Sequence, residues 1–235
     1  MVATNDMGQT FLVDDDDDIP SLSSHTLEAL ESFYEEHSSN IRGFKGEENK
    51  DQLGSFPEIW SLSQFWYDPT TAETIAKEVL LLCNNSSPNC RVACVACPTL
   101  YACIKKIEPK MSVQLLEYDK RFEHYGSDFT FFDYNQPKEL PSEFRHAFQV
   151  VVADPPYLSK ECLEQISQTI SFLRRPEESH LLLLTGKIHL LKIKVLILVR
   201  FCSYPPQHLS KLGNEFRLFM DYDPGLRLGG WDLQI

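Results

Sequence analysis

From Arg91 onward, short apolar runs alternate with polar or helically patterned segments. RVACVACP, SVQLLEYD, DFTFFDYN, FQVVVADPPY and HLLLLTG read as five strands, and the first, fourth and fifth are continuous enough to be covered on both faces. TLYACIKKI, the KRFEHYG turn region and SKECLEQISQTISFL lie between them. Strand and crossover in alternation predict an α/β fold with a parallel, doubly wound sheet. Upstream, DPTTAETIAKEVLLLC opens with Asp68 as a cap and Pro69 at the first helical position, and its apolar stripe is Ala72, Ile75, Ala76, Val79 and Leu80. SLSSHTLEALESFYEEH spaces Leu27, Leu30, Phe33 and Tyr34 at helical intervals, and the polar NIRGFKGEENKDQLG follows it. The pattern divides the chain into a disordered acidic tail (1–20), a helix with linker (21–59) and an α/β domain (60–235).

Composition is that of an ordinary globular protein, with 43% hydrophobic and 24% charged residues. The greasiest stretch, LLKIKVLILV, is well short of the ~20 apolar residues of a membrane span and carries two lysines. The start, MVATNDMGQTFLVDDDDD, lacks a signal peptide's basic head and apolar run, so a cytosolic or nuclear protein without membrane attachment is the default, and a cytoplasmic one is expected. The first 60 residues hold 14 acids against 3 bases, which leaves 20 acids against 19 bases in the remainder. An enzyme of duplex DNA presents a clustered basic surface to phosphates, and a neutral body behind an acidic arm argues against a nucleic-acid partner. The arm itself reads as solvated tail or as a dock for basic partners. The seven cysteines are an odd number set mostly in apolar runs, and they read as reduced core residues. Cys94 and Cys97 form a CxxC with no second pair at zinc spacing, and no metal is expected.

In doubly wound sheets ligands bind beyond the carboxyl ends of the strands. The residues there are Cys97 and Pro98, then Glu117 and Asp119, then Asp133, and then Asp154 to Tyr157. An acid ending the second strand is where such sheets grip ribose hydroxyls, which suits Glu117, and Asp133 can accept from an exocyclic adenine amine. Acids at strand ends are also plain turn residues. In VVADPPYLS the two prolines remove backbone donors, so the Asp154 carboxylate and the Pro155 carbonyl can present two acceptors to one pocket. Two acceptors hold an amine's hydrogens and aim its lone pair, while Tyr157 beyond Pro156 supplies a flat wall. A rigid turn capped by Asp154 is the alternative.

QFWYDPTTAETIAKEVL (64–80), EYDKRFEHYG (117–126), FFDYNQP (131–137), ADPPYLSKECL (153–163) and NEFRLFMDYDPGL (214–226) together resemble the eukaryotic elongation factor 1-alpha lysine methyltransferase 1 family. That family was earlier catalogued as putative N6-adenine-specific DNA methyltransferases. The resemblance implies a seven-stranded S-adenosylmethionine-dependent methyltransferase fold, Rossmann-like and mostly parallel with an antiparallel last strand. LVRFCSYPP and EFRLFMDYD fit its two further strands. It also implies a protein-lysine N-methyltransferase with S-adenosylmethionine as cofactor and elongation factor 1-alpha as substrate; separately, a monomer is expected. Methyltransferases of this fold often carry a glycine-rich loop after the first strand, whereas ACVACPTLY has none. By the same likeness the cofactor is cradled by backbone around Ala96, Cys97 and Pro98. Phe65, Trp66 and Tyr67 line the pocket from the N-terminal side, or pack the first helix of the domain onto the sheet. KIHLLKIKVLIL (187–198) departs from the family's acidic amphipathic helix and fits helix or strand. The alternatives to lysine methylation are an N6-adenine methyltransferase and a non-catalytic binding protein that keeps the fold.

Overall fold

The computed structural model describes residues 3–4, 10–11, 57–62, 64–86, 88–156, 159–186, 199–210 and 215–231. The chain divides into two units, Met1–Asn49 and Lys50–Ile235. In the first, Ala3–Thr4 pairs antiparallel with Thr10–Phe11, inside the stretch read as an acidic tail. The helix expected after residue 21, most of its linker and the segment 187–198 lie outside the described residues.

The second unit holds a seven-stranded sheet. Its strands are β1 (Arg91–Val95), β2 (Ser112–Glu117), β3 (Phe129–Phe131), β4 (Val150–Ala153), β5 (His180–Gly186), β6 (Arg200–Phe201) and β7 (Phe216–Met220). Their order is β3-β2-β1-β4-β5-β7-β6. The first five run parallel, and β7 is antiparallel to both β5 and β6. All five strands read from the apolar runs are present, and the closing pair is there as well.

Among the described residues, three α-helices cover the sheet: α1 (Pro69–Ser86), α2 (Pro98–Ile107) and α3 (Lys160–Leu173). Strand pleating sends alternate residues to opposite faces, so among the described residues a core forms on each face of the sheet. Val92, Cys94, Val150 and Val152 pack against Ile75 and Val79 of α1 and Leu100 and Ile104 of α2. Ala93, Val95, Val151 and Ala153 pack against Ile166, Ile170 and Leu173 of α3 together with Phe148. Asp68 caps α1, its Oδ1 accepting from the Thr71 N–H at 2.6 Å, and Ser159 caps α3 at 3.1 Å. Among the described residues no helix is long and apolar enough to cross a membrane.

Two expectations are corrected. Leu80 is half-buried, and Leu82 and Cys83 take its place in the core, because the buried stripe drifts around α1 toward its C-terminal end. Cys83 and Cys90 are not separate thiols but a disulfide. The turn from α1 into β1 brings their Cα atoms to 5.3 Å, which spacing along the chain does not reveal. Cys94, Cys97, Cys162 and Cys202 are free and buried.

Phe219 of β7 sits between the two antiparallel pairings, opposite Leu183 on one side and Phe201 on the other, and is fully buried. Phe219→Ala should therefore lower stability by about 3–5 kcal/mol in urea unfolding, the range for a phenylalanine removed from a core.

Candidate active site

The site is built where the parallel strands end. After β1 the chain turns at Ala96, whose φ of 55° lies in the left-handed region that a side chain disfavours. The Ala96 N–H donates to the Leu116 carbonyl at 2.8 Å, holding the turn against β2. Pro98 then starts α2, and the buried Cys97 and Pro98 stand behind Ala96.

At the end of β2, Glu117 is only 7% exposed. Its Oε1 accepts from the backbone N–H groups of Tyr118 and Asp119 at 3.0 and 3.1 Å. Burial pushes its carboxyl up to about 7, against the pull of those two donors. Asp119 behaves differently. Burial raises its pKa, but hydrogen bonds from Arg121 and Gln64 more than offset this and hold it below the usual carboxylate range.

Past β3, Asp133 Oδ1 accepts from the Asn135 N–H at 2.9 Å and from its side-chain amide at 3.0 Å. These contacts make a local turn in which Oδ2 is the oxygen left over. Ala96, Glu117 and Asp133 meet around a cavity of about 230 Å³. Pro156 also lines it, as do Leu62, Tyr118, Phe132, Tyr134 and Asn135. Tyr118 and Phe132 directly neighbour the two strand-end acids, and that adjacency is the signal that could have found them. Leu62 comes from the arm before α1 and leaves no such signal.

At the end of β4 the Asp154 N–H donates to the Val95 carbonyl at 3.0 Å, so the carboxylate emerges beside the Ala96 turn. Tyr67 Oη donates to Asp154 Oδ2 at 2.5 Å. Burial pushes the Asp154 carboxyl up to about 7; the Tyr67 bond pulls it down and the Glu117 charge adds to the rise. The same burial, with Asp154 beside it, pushes the Tyr67 phenol well above its ordinary value. Trp66 is buried with its ring 6.3 Å from that of Phe122, edge to face, and Phe65 is half-buried. Pro155 is buried, and Tyr157 lies outside the described residues.

The family model described as "Probable N6-adenine methyltransferase" matches residues 58–224. EEF1A lysine methyltransferase 1 of Homo sapiens is 41% identical over 217 residues, covering 92% of this chain and 98% of the relative. The Mus musculus protein of the same name is 45% identical over 216 residues, covering 90% and 96%. The chain belongs to the EEF1A lysine methyltransferase 1 family. It is thus an S-adenosylmethionine-dependent protein-lysine methyltransferase. A branched-chain polyamine synthase mutein from Thermus thermophilus, solved with N4-aminopropylspermidine and 5'-methylthioadenosine, shares the fold at a TM-score of 0.52 and 14% identity. The match covers 71% of this chain and 59% of that one.

The cavity suits the methyltransferase cofactor. Glu117 and Asp133 could accept from hydroxyls and an amine, Phe132 and Tyr134 could serve as walls, and the left-handed Ala96 turn lines the cavity where a glycine loop is common. Two outcomes follow. Ala96→Gly should raise stability by about 1 kcal/mol, since glycine adopts positive φ freely, as a thermal melt will show. Glu117 is harder to ionise folded than unfolded, so its contribution to stability is lost as pH rises from the ordinary carboxylate range toward about 7. Glu117→Gln should accordingly raise the melting temperature at pH 8 and leave it unchanged at pH 4, where the glutamate is already protonated.

Proposed function

We propose that the chain methylates a lysine Nζ of translation elongation factor 1A, with Asp154, Pro155, Pro156 and Tyr157 receiving the amine. The observation that carries this reading is the half-buried Asp154 carboxylate, set at the end of the central strand β4 and beside the turn that borders the cavity. Glu117 and Asp133, which line the same cavity as Ala96 and Pro156, would hold the sugar and base ends of S-adenosylmethionine. Bound there, the cofactor supplies an electrophilic methyl group. A free lysine amine, with a pKa near ~10.4, arrives protonated, and desolvation beside a cationic ligand favours its neutral form. The Asp154 carboxylate and the Pro155 carbonyl then accept the amine's remaining hydrogens and orient its lone pair. Positioning is the larger part of their task.

The relatives' shared name supports elongation factor 1A as the substrate. The acidic first 60 residues favour a basic protein partner, and the body's 20 acids against 19 bases leave no charge surplus for gripping phosphates. The reading carries a monomeric, cytoplasmic enzyme with it.

Labelled cofactor added with the protein to a cell lysate should mark one protein band of elongation-factor size. Oligonucleotides rich in adenine should stay unlabelled, and labelling of those alone would overturn the substrate class. Asp154→Ala should slow transfer by about a hundredfold or more while changing cofactor affinity little. Glu117→Ala should do the reverse, weakening cofactor binding in calorimetry by about 1.5–3 kcal/mol, the worth of a hydrogen bond to a charged acceptor.

A further inference from the structure

We propose that Tyr67 is a positioning residue that reserves one oxygen of Asp154 for the target amine. The proposal rests on the reading of Asp154 as the amine acceptor. Tyr67 Oη donates to Oδ2 at 2.5 Å, which leaves Oδ1 as the oxygen for an incoming amine. A carboxylate free to rotate would offer either oxygen. One held by a phenol offers a defined lone pair in a defined plane.

The phenol is itself immobilised, from a part of the chain far away in sequence. The Asp68 N–H donates to the Gln207 carbonyl at 3.0 Å and the Leu209 N–H to the Trp66 carbonyl at 2.8 Å, so Tyr67 bridges antiparallel to His208. The His208 ring lies 4.6 Å from that of Tyr67 and 4.6 Å from that of Phe216 on β7. Glu58 Oε1 accepts from the Trp66 N–H at 2.9 Å, and Ser210 donates to the other oxygen of the same carboxylate. The arm before α1 and residues Gln207 to Ser210 thus form a small clamp that fixes the direction of the Tyr67 hydroxyl. Tyr67 is 3% exposed, so water does not compete for it.

The groups around Asp154 set the sign of the test. Tyr67 faces it from the arm, Glu117 from β2 and Cys97 from the turn after β1, with Cys94 behind Cys97 and His208 behind Tyr67. Of these, the Tyr67 bond favours the ionised carboxylate, whereas the Glu117 charge opposes it. Burial already disfavours the charge, so removing the phenol raises the Asp154 pKa further.

The test is the pH profile of single-turnover methylation by the full chain with Tyr67→Phe. Its acid limb should move to higher pH by about one unit, the scale of one hydrogen bond to a charged group, with KM for the cofactor nearly unchanged. The rate should fall about tenfold below pH 7 and recover above pH 9. Because Glu117 also titrates nearby, the shift should persist in a Glu117→Gln background and vanish in an Asp154→Asn background. A folded Tyr67→Phe protein with the parent's acid limb overturns the proposal, and so does one whose only defect is a raised cofactor KM, which would make Tyr67 a cofactor wall. If the phenylalanine variant melts early, the His208→Ala variant, which keeps the phenol but loosens its clamp, must show the same shift in a smaller degree. Near-parental transfer by Asp154→Ala would instead remove the underlying reading of the site.

Discussion

The register between β1 and β4 decides where chemistry can occur in this protein. Val95 pairs with Ala153, and one residue further the Asp154 N–H continues the ladder to the Val95 carbonyl. The last apolar residue of β4 is therefore sealed in the core and the next residue is an acid at the mouth. A slip of one position would exchange the two faces of β4 and send Asp154 toward a helix. Asp154 itself opposes that slip, since the slip would draw its carboxylate into the apolar layers that hold the fully buried Val150, Val151, Val152 and Ala153. The same parallel pairing carries Glu117 and Ala96 to that edge, and the loop after β3 brings Asp133 there too. The site is a consequence of how the core is packed.

Gathering acids at a desolvated edge is unfavourable, and the fold treats them unequally. Asp119 is paired with Arg121 and bonded to Gln64, and it serves to fasten the arm before α1 to the end of β2. Glu117 and Asp154 receive only neutral donors, backbone N–H groups and a phenol respectively, and both are pushed up to about 7. Carboxylates left in that condition favour cationic company, which a sulfonium cofactor and a lysine ammonium both provide. Ala96 adds a further cost at the same edge, since its φ of 55° is a left-handed conformation that a side chain disfavours. Stability given up at the edge is recovered in the two cores beneath it.

The strands, their order of appearance and the acids that end them are legible in the sequence because each is a local pattern. Continuous apolar runs such as VVVA demand burial on both faces, and a proline directly after a strand-end residue, as at Pro98 and Pro155, marks where the ladder must stop. The cap at Asp68 and the candidate positions Glu117, Asp133 and Asp154 follow from such signals, whereas Ala96 came from the family resemblance. What remained illegible depends on contacts across long separations. The Tyr67 phenol reaches an acid 87 residues away, and Leu62 enters the cavity from an arm whose sequence shows no reason to be there. The union of Cys83 with Cys90, though short in sequence, needed the angle between α1 and β1.

By itself, then, the sequence determined that an α/β sheet would form, which strands would be covered on both faces, and that acids and a prolyl turn would crown its carboxyl edge. Periodicity and turn chemistry act over a few residues, so they survive in one dimension. Only the tertiary structure decided which of those acids would stay desolvated beside a cavity, and it turned Tyr67 toward Asp154. Those outcomes depend on burial and on the direction of individual donors, quantities that exist only once distant segments are packed together.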